Sequence, residues 1–387
     1  MKDFFIKNKS FILKRVLPIG LALLALTALV IAVNFNAPSD SSINDGSSAE
    51  RGVVTEVLSG QVARNEYGVY TGSQEVNVKI TSGDKKGQTI KATNTADQYS
   101  GVICEVGTHV VVAISETDST TYSFVSGYDH SMTYVAISVL FAIVMIAVAG
   151  KKGFKALIGL AVTIITLIWL LVPLLCRGMS PYWTSVLWAV ITTIVTIMLI
   201  SGVSVKSAAA VAATTIGVTV SGIIASIFGM TAHITGYNMN FAEELVLLNG
   251  VHVQVGGLLF AGILIASLGA VMDVCMSIAS AVNEIYSANP NTTRRTLFKA
   301  GMTVGKDTMG TMANTLILAF AGSSLTMIIL LYAYKANINY FVSMNDIAIE
   351  IIQGVAGSIG ICLCVPTVSF IASNLVFLTK HKKSKAK

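Results

Sequence analysis

The stretch Gly257–Ile285, GLLFAGILIASLGAVMDVCMSIASAVNEI, decides the fold class of this chain. Apolar and small residues fill it, and Asp273 and Glu284 are its only charged side chains. A helix needs about 20 consecutive apolar residues to cross the ~30 Å hydrocarbon core of a bilayer. The stretch therefore predicts a transmembrane helix, whose span we place at Val253–Asp273, with Asp273 toward its cytoplasmic end.

One face of this helix carries small and polar residues at spacings of three and four, which places them on one continuous stripe. The stripe consists of Gly262, Ala266, Gly269, Asp273, Ser277, Ser280 and Glu284. Small residues in its outer half favour close approach of a second helix. The inner half is polar and acidic, with Asp273 and Glu284 about 16 Å apart along the axis.

A second polar stripe is predicted on the next helix, where Asp307, Gly310, Thr311 and Asn314 share one face. We expect a basic loop at 294–306 between the two helices, and a water-accessible vestibule that opens to the cytoplasm. Ionisable residues within a membrane span are candidates for function. The candidate ligand- or ion-binding residues are Asp273, Ser277, Ser280, Glu284, Asp307 and Asn314. The glycines assigned to packing are Gly262, Gly269 and Gly310.

The alternative for the acidic residues is structural. Asp273, Glu284 and Asp307 would then form ion pairs with Arg294, Arg295 or Lys306.

Seven further apolar segments resemble the first in length, and 53% of the chain is hydrophobic while only 12% is charged. Soluble domains carry about 25% charged residues, so most of this chain is expected to face lipid. The predicted fold is a membrane all-α bundle of about eight transmembrane helices with a small all-β domain. The other segments are Val16–Val33, Met132–Ala149, Phe154–Leu175, Tyr182–Gly202, Ser207–Phe228, Ala313–Tyr334 and Ile347–Leu378, the last of them tilted or broken near Pro366.

Between the first two segments the pattern changes to period two, with Val76, Val78 and Ile80 alternating with polar residues. Short β-branched strands and Gly-containing turns predict a small antiparallel barrel, with an OB-like barrel as one form. The domain boundaries follow from this change of pattern. They are an anchor helix at 1–35, a linker at 36–50, the β domain at 51–128, a helical domain at 131–379 and a basic tail at 380–387.

Charge predicts the orientation. With the N-terminus inside, eight basic residues lie in short cytoplasmic loops, whereas the outer loops hold only Arg177 and Lys335. This is the positive-inside distribution, so both termini are expected in the cytoplasm and residues 36–130 outside it, in a bacterial plasma membrane. The basic clusters suit anionic lipid, and no nucleic-acid partner is expected.

Enzymatic signatures are missing from the sequence, which has no H-E-x-x-H, Walker A or G-x-S-x-G motif. The five histidines lie in the outer domain, at membrane edges or in the tail, and the five cysteines suit structural positions. We therefore expect no enzyme, no metal site and no cofactor.

The opening stretch and Gly305–Leu325, GKDTMGTMANTLILAFAGSSL, closely resemble the two signature stretches of the YibE/F family of bacterial membrane proteins. The β domain after an anchor helix resembles the longer, YibE-type members. The positions carried over are Gly269, Asp273, Ser277, Ser280, Glu284, Asp307, Gly310, Asn314 and Thr315. Lys306 stands where an arginine is expected, which keeps the charge but loses the planar fork. The resemblance also implies a shorter YibF-type membrane partner, with a homo-oligomer as the other arrangement.

Three functions fit these observations. The first is a transporter or permease for a small solute or ion, with Asp273 and Glu284 as a cation- or proton-binding pair and Asn314 as a neutral ligand. The second is a membrane-anchored scaffold or sensor whose β domain binds an envelope partner. An intramembrane enzyme is the third, and it lacks a visible nucleophile and base.

Overall fold

The computed structural model describes residues 17–35, 47–66, 68–96, 101–117, 120–239, 241–247, 252–335 and 337–384. Two compact units divide the chain: one comprises 1–37 together with 148–387, and the other comprises 38–147. Residues 1–16, most of the predicted linker and the end of the basic tail lie outside the described residues.

A five-stranded closed barrel forms most of the second unit, which confirms the predicted small β barrel. The described strands, numbered β1 to β5 in chain order, are Ser47–Arg64, Tyr70–Ile80, Thr89–Ala96, His109–Thr117 and Thr120–Tyr128. Their order around the barrel is β1-β2-β3-β5-β4, in which only β3 and β5 pair in parallel among the described strands. Strand β1 begins inside the predicted linker, and it closes the barrel because it pairs with both β2 and β4.

The alternation seen in the sequence sets which strand residues face the barrel interior. Val76, Val78 and Ile80 are fully buried, while Lys79 between them is exposed. A polar group also lies inside: Gln74 accepts from the Cys104 backbone N–H at 3.0 Å and from the Asn94 amide at 3.0 Å. These hydrogen bonds hold segment 101–105 against the barrel, since buried amides require partners.

The described helices, numbered α1 to α11 in chain order, are Leu17–Phe35, Ser131–Thr166, Val172–Cys176, Pro181–Ser201, Val205–Thr231, Ala242–Leu247, Leu258–Ala288, Arg294–Ser323, Leu325–Ala333, Ile338–Ser343 and Asn345–Ser384. Helix α2 is kinked at Gly150, where φ is 54°. A π-helical turn, Leu167–Leu171, joins α2 to α3, and short 3-10 turns lie at Gly236–Asn238 and Val255–Gly257.

Each predicted apolar segment is mainly helical where the structure describes it, but the count of eight spans is not confirmed. Five helices among the described residues are long and apolar enough to cross a membrane, or six if α8 and α9, bent by 60°, form one span. The α2 kink separates the segments predicted at Met132–Ala149 and Phe154–Leu175, which together form one of the five.

One local expectation is wrong: the segment at 294–306, predicted as a loop, is the start of α8. α7 continues for 15 residues beyond Asp273, to Ala288, as the stripe through Glu284 requires. Of the two forms expected for the last segment, the break near Pro366 is not observed, because α11 runs unbroken through that residue.

Three helices, α5, α7 and α11, meet at the centre of the helical unit. A Cβ built on Gly217 of α5 would lie 2.9 Å from Val271 and 3.0 Å from Cys364, so a larger residue would force these neighbours to shift. Ser221 of α5 donates to the Ala356 carbonyl of α11 at 2.9 Å. Small residues and interhelical hydrogen bonds are the usual means by which helices associate in lipid.

Helix α1 lies against the same unit. Its Asn34 donates to the Trp169 carbonyl at 2.6 Å, within the π-helical turn. Arg177, just after α3, donates to the Val33 carbonyl near the end of α1. A cation at a helix C-terminus is electrostatically favourable, and the contact brings the C-terminal ends of α1 and α3 to the same side.

Candidate functional site

The stripe predicted on α7 exists, and it lies on the exposed side of that helix. Val271, Cys275 and Ile278 on the opposite side are fully buried. Among the stripe residues, Gly262 and Ser280 are partly exposed and the others are exposed: Ala266, Gly269, Asp273, Ser277 and Glu284. Asp273 is the sixteenth of the 31 residues of α7, at the middle of the helix.

The second stripe lies on the exposed side of α8. Its members Asp307, Gly310, Thr311 and Asn314 are all exposed. The buried side of α8 carries Gly301 and Gly305, where an added Cβ would meet Ser369 at 2.8 Å and Ile278 at 2.9 Å. The glycines that allow close packing within the chain are therefore on the side of α8 opposite the predicted one.

At Gly269 and Gly310, an added Cβ would meet nothing within 4 Å, and at Gly262 it would meet only the Gln353 amide at 3.8 Å. Their role in packing stays a prediction, because no helix among the described residues packs closely against these three glycines.

The acidic residues of the two stripes have no basic partner among the residues described here. No ion pair within 4 Å joins Asp273, Glu284 or Asp307 to a lysine or arginine there. Arg294 lies instead over the Phe377 ring, with 5.2 Å between its guanidinium carbon and the ring centroid. The ion-pair alternative therefore finds no support. The structure holds four candidates on one α7 face and two on one α8 face, and among the described residues no hydrogen bond joins the two sets.

A further acidic site lies at the other end of α8, where the helix breaks. Ser323 ends α8, α9 begins at Leu325, and the two axes differ by 60°. A cavity of about 360 Å³ adjoins the break, and its polar lining comes from Ser323, Ser324, Asp346, Glu350 and Gln353. The Ser323 hydroxyl donates to Glu350 Oε1 at 3.0 Å, while Glu350 Oε2 is buried and has no hydrogen-bond partner.

Sequence reasoning missed Glu350 although a signal was present. It is an ionisable residue inside the predicted last span Ile347–Leu378, and Gln353 follows three residues later on the same face. The rule applied to Asp273, that an ionisable residue in a span is a candidate for function, applies equally to Glu350.

Residues 137–377 match the model of the YibE/F-like protein family. The chain belongs to this family. The resemblance seen in the sequence is thereby confirmed, while no curated protein and no solved structure matches the chain. Together with the apolar helices, the family indicates a membrane protein.

The YibE/F-like region contains every candidate residue, from Gly262 on α7 to Gln353 on α11, whereas the barrel strands precede it. The barrel is therefore an addition to the family region of this chain. Among the described residues, no group of three or more His, Cys, Asp or Glu side chains is arranged to hold a metal ion.

Proposed function

We propose that this YibE/F-like protein is a transporter or permease for a small solute or ion that passes along the polar faces of α7 and α8, around Asp273 and Asn314. One observation carries the proposal. Asp273 is the sixteenth residue of the 31-residue helix α7, which belongs to a segment long and apolar enough to cross a membrane, and no basic residue pairs with it in the described structure. A carboxylate there is costly in lipid and is retained where it serves an ion or substrate path.

The proposed topology places both termini in the cytoplasm and the barrel outside. The positive-inside charge distribution supports it. The contact between Arg177 and Val33 also supports it, because it requires α1 and α3 to end on the same side. The segments Met132–Ala149 and Phe154–Leu175 then cross the membrane separately, on either side of the Gly150 kink. Alkaline phosphatase fused after Tyr128 should be active, and fused after the C-terminus it should be inactive; the reverse pattern would overturn the topology.

Ion flux provides the direct test. Full-length protein is reconstituted in phosphatidylethanolamine and phosphatidylglycerol vesicles, and charge movement is recorded after jumps of Na⁺, K⁺, Mg²⁺ or pH. We expect a current for at least one of these ions in the wild type and its loss in Asp273→Asn, with an unchanged melting temperature.

Asp84→Asn, an exposed change in a barrel turn, is the matched control and should keep the current. Full current in Asp273→Asn would remove Asp273 from the path. If the wild type passes none of the four ions, ion transport itself is contradicted.

A second candidate function is a scaffold or sensor that binds an envelope partner. It is favoured by Tyr122 and Phe124 on β5, which are 62% and 51% exposed on one face of the strand. Exposed aromatic residues of this kind are enriched in protein interfaces. This function predicts that Tyr122→Ser with Phe124→Ser abolishes activity in cells, while Asp273→Asn has no effect.

The open faces of α7 and α8 also support an assembly. Either a YibF-type membrane partner or a second copy of this chain would cover Gly269 and Gly310, where space is available. Cross-linking in native membranes from cysteines introduced at these positions distinguishes the two, since a second copy gives a species of twice the mass.

A further inference from the structure

We propose that an apolar cavity walled by α8, α9, α10 and α11 is a binding site for one acyl chain of a membrane phospholipid. The inference goes beyond the proposed transport and does not depend on it. It rests on the membrane location that the family and the apolar helices indicate, and on the geometry of the cavity.

The lining of this apolar cavity is the first argument. Nine of its eleven lining residues are apolar or glycine, and the other two are Ser324 and Glu350. The Glu350 carboxylate accepts a hydrogen bond from Ser323, which lines the polar cavity beside the break and not the apolar one. Burial of hydrocarbon, and not a polar contact, is therefore what the apolar cavity offers a ligand.

The volume of the cavity selects the size of the ligand. It measures about 260 Å³, and because an apolar cavity of about 150 Å³ holds one benzene molecule, it has room for about ten carbon atoms. On α11 the lining runs from Ile347 to Val355, which is about 12 Å along the helix axis. A stretch of acyl chain fits these dimensions, whereas a whole helix, about 10–12 Å wide, is too large.

The cavity opens on a face of the helices that meets lipid. Its lining residues Ile317, Ile351 and Val355 are between 45% and 55% exposed, and they belong to helices of the candidate membrane spans. Ile347 and Gly354, which also line it, are buried. Since apolar cavities stay free of water, the hydrocarbon at the opening is the material that can fill the cavity in a bilayer.

Exposed tyrosines place the cavity close to the headgroups. Tyr332 and Tyr334, at the end of α9, and Tyr340 of α10 are 86%, 75% and 59% exposed. The same two helices contribute Ile328 and Phe341 to the lining. Tyrosine is enriched at membrane–water interfaces, so the cavity lies where an acyl chain enters the hydrocarbon. In the proposed topology this is the outer leaflet.

The bend after α8 accounts for the space. Gly354 of α11 packs against α8, where an added Cβ would lie 3.5 Å from the Phe320 ring. After Ser324 the chain turns by 60° into α9, so α9 does not continue this packed pair. Ile328 of α9 and Ile347 of α11 instead line the cavity together.

Photo-cross-linking from a lipid tests the site. Full-length protein is reconstituted in phosphatidylethanolamine and phosphatidylglycerol vesicles that contain a trace of phosphatidylcholine with a diazirine in one acyl chain. After irradiation and digestion, mass spectrometry locates the labelled residues. We expect label to concentrate on the lining residues Phe320, Ile328 and Ile347. Leu318 and Ile329, which are 61% and 58% exposed on α8 and α9 outside the cavity, should carry less.

Ala321→Phe fills the cavity. Ala321 lines it and is exposed, so the added ring needs no shift of the backbone. Label on the lining should fall about tenfold or more, because the ring takes volume that the acyl chain needs. Ala319→Phe, exposed on the same helix outside the cavity, is the matched control and should be labelled as the wild type is.

Val355→Trp provides a second variant, since Val355 is 47% exposed at the opening and a larger side chain there covers it. It should lower the label in the same way, and the melting temperature of each variant checks folding. If Ala321→Phe does not fold, Val355→Trp decides.

Three results would overturn the site. Label spread evenly over the lining, Leu318 and Ile329 would show surface lipid only. A lining without label would show that another subunit or a shifted helix covers the cavity. Undiminished label in folded Ala321→Phe and Val355→Trp would place the chain elsewhere. Ion currents test transport separately, so a labelled cavity in a protein that passes no ion leaves the lipid site standing.

Discussion

Polar side chains pair with one another across strands of the barrel, whereas the acidic side chains of the two stripes in the helical unit have no ion pair among the residues described. In the barrel, the Asn94 amide donates to Gln74 at 3.0 Å, and Lys91 pairs with Glu75 at 2.9 Å. On α7 and α8, Asp273 and Asp307 have no ion pair among the residues described. The first arrangement secures a fold, because these pairs join the neighbouring strands β2 and β3. The second leaves charge available, in a setting where lipid would not solvate it.

The largest expected effect comes from the packed side of α8. Gly305→Ala places a Cβ against Ile278 and Val365, and we expect a loss of about 1–3 kcal/mol in stability through overpacking. Its matched control, Gly310→Ala, adds a Cβ in open space on the same helix and should stabilise it by up to about 1 kcal/mol. Thermal unfolding of both variants in detergent measures the difference. A destabilised Gly310→Ala would show that another subunit packs there.

A smaller effect is expected inside the barrel. Asn94→Ala removes a donor from both Gln74 and the Val102 carbonyl, which should cost about 1–2 kcal/mol because buried acceptors lose their partner. Hydrogen exchange of segment 101–105 in the full-length protein should accelerate accordingly. Asn77→Ala breaks a more exposed bond to Glu56 and should change exchange little. Equal effects of the two changes would contradict a structural role for the buried amides.

The thiol in the barrel gives a pH-dependent test. Burial raises the pKa of Cys104 from 9.0 to about 11. The folded barrel thus holds the proton more tightly than the unfolded chain, and its stability should fall as pH rises from about 9 to about 11. At pH 8, maleimide should modify Cys104 slowly when folded and rapidly in urea, as measured by mass spectrometry of the peptide. Rapid modification of the folded protein would show that the thiol is not buried.

The smallest effect is expected at the barrel surface. Hydrogen bonds from Lys91 and Ser59 and the charge of Lys91 lower the pKa of the exposed Glu75 carboxyl. The stability that these interactions add is present above the usual carboxyl pKa, and it is lost as pH falls through the lowered pKa of Glu75. Exposed pairs contribute little, so Lys91→Ala should leave barrel exchange at pH 7 unchanged. A clear acceleration would place this pair among the groups that secure the fold.

The candidate site could be predicted in part. The spacing of Asp273, Ser277 and Glu284 placed them correctly on one α7 face, because helical geometry alone decides that. Their exposure was not predictable, since it depends on which helices pack on the other side. Glu350 was missed for a related reason: its partner Ser323 is 27 residues away in sequence, and only the bend after α8 brings the two together.

By itself the sequence determined the class of fold, the helical segments, the barrel and the family, because these follow from local periodicity, from apolar length and from motifs. Only the tertiary structure decided that Gly217, Gly301 and Gly305 are the packing glycines, that the acidic stripes lie outward, and that Glu350 faces a cavity at a broken helix. The physical reason is that a small or charged residue acquires its role from what lies opposite it, and helix packing brings together residues from distant parts of the chain.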